Sequence, residues 1–515
     1  MRSRHLSSPL TSRLKTPSGA ALLSFVFPGL GQAAAGKPRR ALIVALPAMA
    51  LGTVAIFVLA DRRAVIDALL RPTMLMAFLF ADAFALVYHL WAIADAYALA
   101  AKRHWSNLAR RPRGSLAAVL LVVVLVATAS IHVAIGSIDL QAQTTVNCVF
   151  RPDAPCFFPG GGYLEAGETL PIQVSLAADA TATAGAYVNG PDQSDAASQI
   201  PAIPYLPAAT MPAITAGNAD WRADGKLVVL LVGADASVGK WALSPDAMIL
   251  LEVDIATGRA ALYGIPRDLK NVPLGPDAAD AYPCHCFPAP NPLNWLWLDA
   301  VAQPSLYRYQ GSDFVRGFKA LEGAVGALTK LTVDGLVVID LMGFVHLVDA
   351  LFPNGVTVSV PAELRDDRYS EPQDRRDIAI DIKPGVQQMD GLTALAYARS
   401  RHQNSNQDRM VRQQTLLVAM HNQLDLCALV PRIPTLLNTV GRTFWTDMAL
   451  EDAPVLLDLM EHVGTANLKG YELSTDLTGA TDNFLTPTSI DKIRDVVAHG
   501  LDGIPTSGVD PKAGC

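Results

Sequence analysis

Nearly all of the long apolar sequence in this 515-residue chain lies in its first 139 residues. A helix that crosses a bilayer needs about 20 mostly apolar residues, and three segments reach that length: 41–60, 73–101 and 115–138. A fourth apolar stretch, 19–35, is shorter and contains Pro28-Gly29-Leu30-Gly31-Gln32. A proline and two glycines argue against a straight span there and for a re-entrant or interfacial hairpin. The second long segment carries Asp82, His89 and Asp95, which in a membrane must turn toward neighbouring helices or the interface. With 51% of all residues hydrophobic and the excess confined to one end, the chain is not an ordinary soluble enzyme. Residues 1–139 read as a membrane region.

Positive charge orients such a region. Arg2, Arg4, Arg13 and Lys15 precede all the apolar sequence; Lys37, Arg39 and Arg40 precede the first long segment; Lys102, Arg103, Arg110, Arg111 and Arg113 precede the third. The loop between the first two segments sets Arg62, Arg63 and Arg71 against Asp61 and Asp67. Three spans with a cytoplasmic N-terminus give a multi-pass protein of the cell membrane whose C-terminal part is extracytoplasmic. Several apolar segments, the first long one far from the start, do not make a cleavable signal peptide. All six cysteines, Cys148, Cys156, Cys284, Cys286, Cys427 and Cys515, follow the last apolar run. An even number on one side of a membrane suits disulfides in an oxidising compartment, with unpaired thiols as the alternative. Cys284-His285-Cys286 lacks the Cys-x-x-Cys spacing and a second ligand pair nearby, so zinc is not expected there.

Residues 1–139 hold 15 of the 41 Lys and Arg but only 5 of the 48 Asp and Glu, which leaves the remainder at a formal −17. A nucleic-acid-binding domain is expected to be basic, so nucleic acid is not an expected partner. Residues 140–220 are poor in periodicity and rich in Ala, Pro, Thr, Gly and Ser toward their end, and read as a linker or irregular extension. Regular structure starts near residue 221 and continues to about 502, before a short tail over 503–515. The apolar run 226–232 ending in Gly233 is the pattern of a strand buried on both faces. Strands are also expected over 248–255, 259–265, 335–340, 356–360 and 378–382, with a hairpin turn at Thr257-Gly258. Helices are expected over 314–328, 344–351, from 391, and over 409–424. The mixture is α/β, a central sheet covered by helices.

In such sheets ligands bind beyond the carboxyl ends of strands. The first strand ends at Gly233-Ala234-Asp235, the third at Ile265-Pro266-Arg267-Asp268, and Asp246 lies just before the second. Two converging carboxylates would bind Mg²⁺, a hard cation that favours phosphate-bearing substrates; taken singly, each aspartate reads more readily as the cap of a turn or strand than as a metal ligand. A denser cluster follows: Tyr397-Ala398-Arg399-Ser400-Arg401-His402, then Asp408-Arg409-Met410-Val411-Arg412-Gln413-Gln414. Arg399 and Arg401 share a side if extended, and Arg409, Arg412 and Gln413 share a helix face by spacing. Guanidinium groups bind phosphate in a bidentate fork. Spacing alone leaves a phosphate site and a solvated basic face, paired with acids such as Asp390 and Asp408, equally open.

The stretches LVVLLVGADAS, SPDAMILLEVDIATGRAALYGIPRD, LVVIDLMGFVHLVDAL, VQQMDGLTALAYARSR and DRMVRQQ, in that order, resemble the LytR-CpsA-Psr family over about residues 224–500, and TFWTDMAL resembles a late segment of the family. The resemblance implies an extracytoplasmic α-β-α sandwich around a mixed sheet. It also implies a phosphotransferase that moves a glycan phosphate from a polyprenyl-pyrophosphate carrier to a cell-wall acceptor, typically peptidoglycan. Matched residue by residue, it implies Mg²⁺ at Asp235 and Asp246, and pyrophosphate at Arg267, Arg399 and Arg401. Arg409, Arg412 and Gln413 match the distal part of that site, and Asp268 a supporting position. The family's Arg-Ser-Asp-Thr is here Ser244-Pro245-Asp246-Ala247, and its Ser-Asp before the distal arginine is Ser405-Asn406. One arginine and one acid are therefore replaced. A lipid-pyrophosphate-binding regulator without catalysis, and a pyrophosphatase using water as acceptor, are the competing readings.

Overall fold

The structure is a computed structural model and describes residues 16–60, 65, 68–69, 71–106, 115–150, 221–235, 244–370, 377–400, 406–429, 432–463, 465–474 and 481–505. They form two compact units that divide between Gln143 and Thr144. Most of the expected linker, Arg401, and the 506–515 end of the expected tail lie outside the described residues.

In the N-terminal unit, Thr16 caps α1 (Pro17–Val26) by accepting the Gly19 N–H at 3.2 Å. The chain breaks at Phe27-Pro28-Gly29, where Gly29 takes φ 105°, and restarts as α2 (Leu30–Ala34). A Cβ on Gly31 would fall 2.1 Å from the Ala20 carbonyl oxygen, so α1 and α2 pack closely only because that position has no side chain. The helices α3 (Pro38–Ala60), α4 (Pro72–Ser106) and α5 (Ser115–Val149) cover the three expected spans. Two stretches among the described residues, Thr73–Arg103 and Ala117–Val149, are long and apolar enough to cross a membrane. That is two where three are expected, and α5 runs past the expected end at 138 to Val149. Side chains such as Phe80 and Val133 are two-thirds exposed, a surface suited to lipid rather than water. The intervening polar groups turn inward: His132 Nδ1 lies 2.7 Å from Asp82, His89 Nε2 3.1 Å from the Ser24 carbonyl, and Arg40 2.6 Å from Asp95.

The C-terminal unit is built on a six-stranded sheet in the order β11-β6-β1-β2-β3-β12. Its strands are β1 (Lys226–Asp235), β2 (Ser244–Asp254), β3 (Ala260–Gly264), β6 (Gly335–Asp340), β11 (Phe444–Thr446) and β12 (Leu468–Glu472). β1 runs parallel to β6 and antiparallel to β2, and β3 antiparallel to β2. The sheet is therefore mixed, and the fold is α/β. The short pair β4 (Val272–Pro273) and β5 (Cys286–Phe287) holds a Cys284–Cys286 disulfide, and Cys148 is also disulfide-bonded.

Alternation along β1 decides the two layers. Val228, Leu230, Val232 and Ala234 enter the main core against α6 (Asp313–Thr329) and α10 (Pro487–Ala498), whose Phe318, Leu321 and Ile493 are fully buried. Ser312 and Thr486 cap those helices. The opposite face packs through Leu227, Val229 and Val253 against Met448, Leu459 and Val463, and its Leu231, Ile249 and Val337 face α7 (Leu341–Leu351), α8 (Gly391–Arg399) and α9 (Asn406–Gln423). These helices bury their far sides against a second core around β7 (Val356–Val360) and its partner β10 (Gly385–Met389). A further hairpin pairs β8 (Leu364–Ser370) with β9 (Asp377–Ile382). Each fully buried Leu or Val adds about 1.5–3 kcal/mol, so the face carrying Val228, Leu230 and Val232 is strongly committed to the main core.

Candidate functional site

β1, β3 and β6 end, and β2 begins, at one edge of the sheet. Asp235 is the last residue of β1. Gly233 pairs with Ala247 while Ala234 pairs with Pro245, so Asp246 is the extra residue of a β-bulge. Bulges re-aim side chains, and Asp246 lies inside β2 rather than before it. Arg267 follows β3 and donates from Nη1 to Asp246 Oδ1. Arg399 closes α8 and holds Asp235 Oδ2 at 3.1 Å. Two carboxylates from adjacent strands thus each face a guanidinium from a different element. Ser244 Oγ donates to Asp246 Oδ1 at 3.1 Å, a neutral contact beside the guanidinium of Arg267.

On α9 the three residues expected to share a face divide. Buried Arg409 and half-buried Gln413 line the same cavity as Asp246, Arg267 and Arg399. Arg412 does not. It is 7% exposed and donates to the Tyr397 carbonyl at 2.7 Å and to the Ser400 carbonyl, and burial pushes its guanidinium below the usual range. Its place is that of a clamp joining α9 to the end of α8, where orphan carbonyls need donors. Asp268 also turns away, accepting from Asn483 Nδ2 at 2.8 Å. Gln414, not singled out by sequence, reaches the Tyr471 carbonyl of β12 at 2.8 Å and fixes α9 on the sheet.

The cavity occupies about 390 Å³. Its floor is Leu231, Gly233, Ala247, Ile249, Val337 and Ile339 of β1, β2 and β6; Phe344, Leu347, Leu395, Leu416 and Met420 cover it from α7, α8 and α9. Gly233 and Ala247 pair beside the Asp246 bulge, and a Cβ on Gly233 would sit 3.2 Å from that of Ala247. One end is charged, lined by Asp246, Arg267, Asp340, Asp366, Arg368, Arg399 and Arg409. Apart from Tyr369, Ser400 and Gln413, the rest is hydrocarbon. Such a lining suits a ligand with a charged head and an apolar body.

Four residues at the charged end went unnoticed in the sequence: Asp340, Asp366, Arg368 and Tyr369. Asp340 ends β6 as Asp235 ends β1, so the strand-end rule that finds one finds the other. It caps α7 through the Gly343 N–H at 2.6 Å, and burial pushes its carboxyl up to about 6 against that bond. The other three sit on β8, whose LRDDRYS has no apolar alternation to betray a strand. Asp366 accepts from Ser400 Oγ at 2.6 Å, and the Arg399 guanidinium lies 5.8 Å from the centre of the Tyr369 ring.

Comparison with known proteins follows the same outline. The model of the LytR_cpsA_psr family matches residues 197–486. Regulatory protein MsrR of Staphylococcus aureus (strain COL) is 23% identical over 219 residues, 42% of this chain and 55% of MsrR. The chain thus spans about half the length of that curated relative. Biofilm regulatory protein A of Streptococcus mutans is 23% identical over 299 residues, 56% of this chain and 67% of that protein. Among solved structures, Bacillus subtilis TagV is similar at 19% identity with a TM-score of 0.38, covering 54% of this chain and 98% of TagV.

Proposed function

The chain belongs to the LytR_cpsA_psr family, and from that premise we propose that it is a membrane-anchored phosphotransferase. In this reading it moves a glycan phosphate from a polyprenyl-pyrophosphate carrier to a cell-wall acceptor such as peptidoglycan. The observation that carries the reading is the two-part cavity: arginines and aspartates at one end, hydrocarbon along the rest. A pyrophosphate on a polyprenyl tail has the same two parts. Arg267, Arg399 and Arg409, with Gln413, would bind the pyrophosphate oxygens, and Arg401 joins them by its place in the sequence. The acceptor hydroxyl oxygen attacks the glycan-side phosphorus, the anhydride P–O bond breaks, polyprenyl phosphate leaves with the electron pair, and the hydroxyl proton passes to water. Catalysis of such a transfer is positioning and charge neutralisation, which guanidinium groups supply.

Asp235 and Asp246 fit a Mg²⁺ site by chemistry: two hard carboxylates on neighbouring strands beside the anion-binding arginines. Among the described residues there is no group of three or more metal-ligating side chains, so a cation here would take its remaining ligands from substrate phosphate and water. When bound it would add positive charge at the transferring group.

The apolar helices of the N-terminal unit serve as the anchor that keeps a lipid-tailed substrate in reach. A three-span, positive-inside arrangement with the C-terminal unit outside is the topology that goes with this role. Ser244 favours a second reading, a regulator that binds the lipid pyrophosphate without turnover. The two are separated by incubating the full-length chain in detergent with a polyprenyl-pyrophosphate-linked glycan and Mg²⁺, with and without peptidoglycan, and following polyprenyl phosphate. Release that requires the acceptor and is lost in Arg399→Ala supports the transferase; retained binding with no release in either mixture supports the regulator.

A further inference from the structure

The geometry points to Arg368 as a second anion-binding element of this cavity, one that engages a carboxylate or phosphate lying beyond the pyrophosphate, on the transferred glycan or on the acceptor. The inference rests on the proposed function and names a feature of its substrates.

Three observations converge on it. First, Arg368 lines the cavity from β8, while the arginines assigned to pyrophosphate come from the β3 end, α8 and α9. It is therefore presented from a separate element. Second, its position is built. Asp366 pairs with Ile380 and Tyr369 with Ile378, so β8 carries one extra residue between them, a bulge that re-aims the intervening side chains. The bulge is pinned on both sides to the end of α8: Asp366 accepts Ser400 Oγ at 2.6 Å, and Tyr369 lies beneath the Arg399 guanidinium. Asp366 Oδ1 also accepts the Arg368 backbone N–H at 3.1 Å, which fixes the residue itself.

Third, its charge is uncommitted. Arg267 and Arg399 face Asp246 and Asp235, and neighbouring Arg365 is paired with Asp367. The Arg368 side chain has no ion pair or hydrogen bond among the described residues, and the Asp366 carboxylate is already occupied by Ser400 and the backbone. A guanidinium held by its own backbone at the rim of a cavity is prepared for an anionic partner. Because it is solvent-exposed, its contribution is selective rather than large.

The test uses the full-length chain in detergent, wild type against Arg368→Gln and Arg368→Lys. Three binding probes are compared by calorimetry: a prenyl pyrophosphate without sugar, the same carrier bearing a neutral disaccharide, and the carrier bearing a uronic-acid disaccharide. Transfer is measured against concentration of an anionic acceptor. Arg368→Gln should leave the first two affinities within about twofold and produce one loss of roughly fivefold. A loss on the uronic-acid carrier assigns the anion to the donor glycan; a rise in acceptor KM with kcat unchanged assigns it to the acceptor. Arg368→Lys should recover part of the loss. The inference is overturned if neither quantity moves, or if sugar-free prenyl pyrophosphate weakens as much, which would make Arg368 part of the pyrophosphate site. A wild type that binds no prenyl pyrophosphate would refute the proposed function itself, a result distinguishable from either of these.

Discussion

Removing the Arg399 side chain should do two separable things, and separating them tests how the site is built. Arg399 Nη2 lies 3.1 Å from Asp235 Oδ2, with side-chain exposures of 21% and 3%. Arg399→Met therefore leaves a carboxylate almost fully buried without this partner. Breaking a buried pair by deleting one member costs about 3–5 kcal/mol. Arg399 keeps some contact with solvent, which screens the pair and brings the expectation down to about 2–3 kcal/mol. Asp235→Asn, by contrast, takes one partner from a partly solvated arginine and should cost about 1 kcal/mol. The double variant holds neither charge, so its loss should fall about 2 kcal/mol short of the sum of the singles. Denaturant unfolding of the four proteins in detergent measures that coupling. Binding of a prenyl pyrophosphate should not recover in the double variant, because the guanidinium itself is gone. Additive destabilisation, or binding restored with stability, would refute the assignment.

Arg412→Met should destabilise by about 2–4 kcal/mol in the same unfolding assay, since the Tyr397 and Ser400 carbonyls lose a buried donor. The properly folded fraction of that variant should bind prenyl pyrophosphate near normally. Burial pushes the Asp334 carboxyl up to about 7 despite its bond to the Val228 N–H at 2.8 Å. The unfolded group titrates near 3.9, so the native state holds the extra proton in between, and this group's contribution to stability is lost as pH rises from about 4 through 7. Asp334→Asn should flatten that part of a stability–pH profile. Ala247→Phe fills the floor beside Gly233; it should weaken long-chain prenyl pyrophosphates at least about tenfold while leaving inorganic pyrophosphate within twofold, read by competition binding.

Much of this site is legible in the sequence because its carriers are strongly patterned. Continuous apolar runs give β1 and β6, and strand ends before a charge give Asp235 and Arg267. Other features depend on packing that no spacing encodes. Arg409 and Arg412 are three residues apart, yet one enters the cavity and the other is drawn to the carbonyls at the end of α8. Asp268 follows Arg267 directly but is taken by Asn483, far along the chain. β8 hides because charged residues on a bulged hairpin carry no alternation, and β11 and β12 because they are short and lean on strands already formed. The cavity is the least legible feature, because its lining comes from strands and helices far apart in the sequence.

The central claim, transfer of a glycan phosphate, is tested most directly by following the phosphorus. A polyprenyl-pyrophosphate glycan labelled at the glycan-side phosphate, incubated with the full-length chain, Mg²⁺ and peptidoglycan, should place the label in covalent linkage to the polymer, with unlabelled polyprenyl phosphate released in equal amount. Label recovered as free glycan phosphate would mean hydrolysis instead, and label remaining on the carrier that still binds the chain would contradict the transferase account altogether.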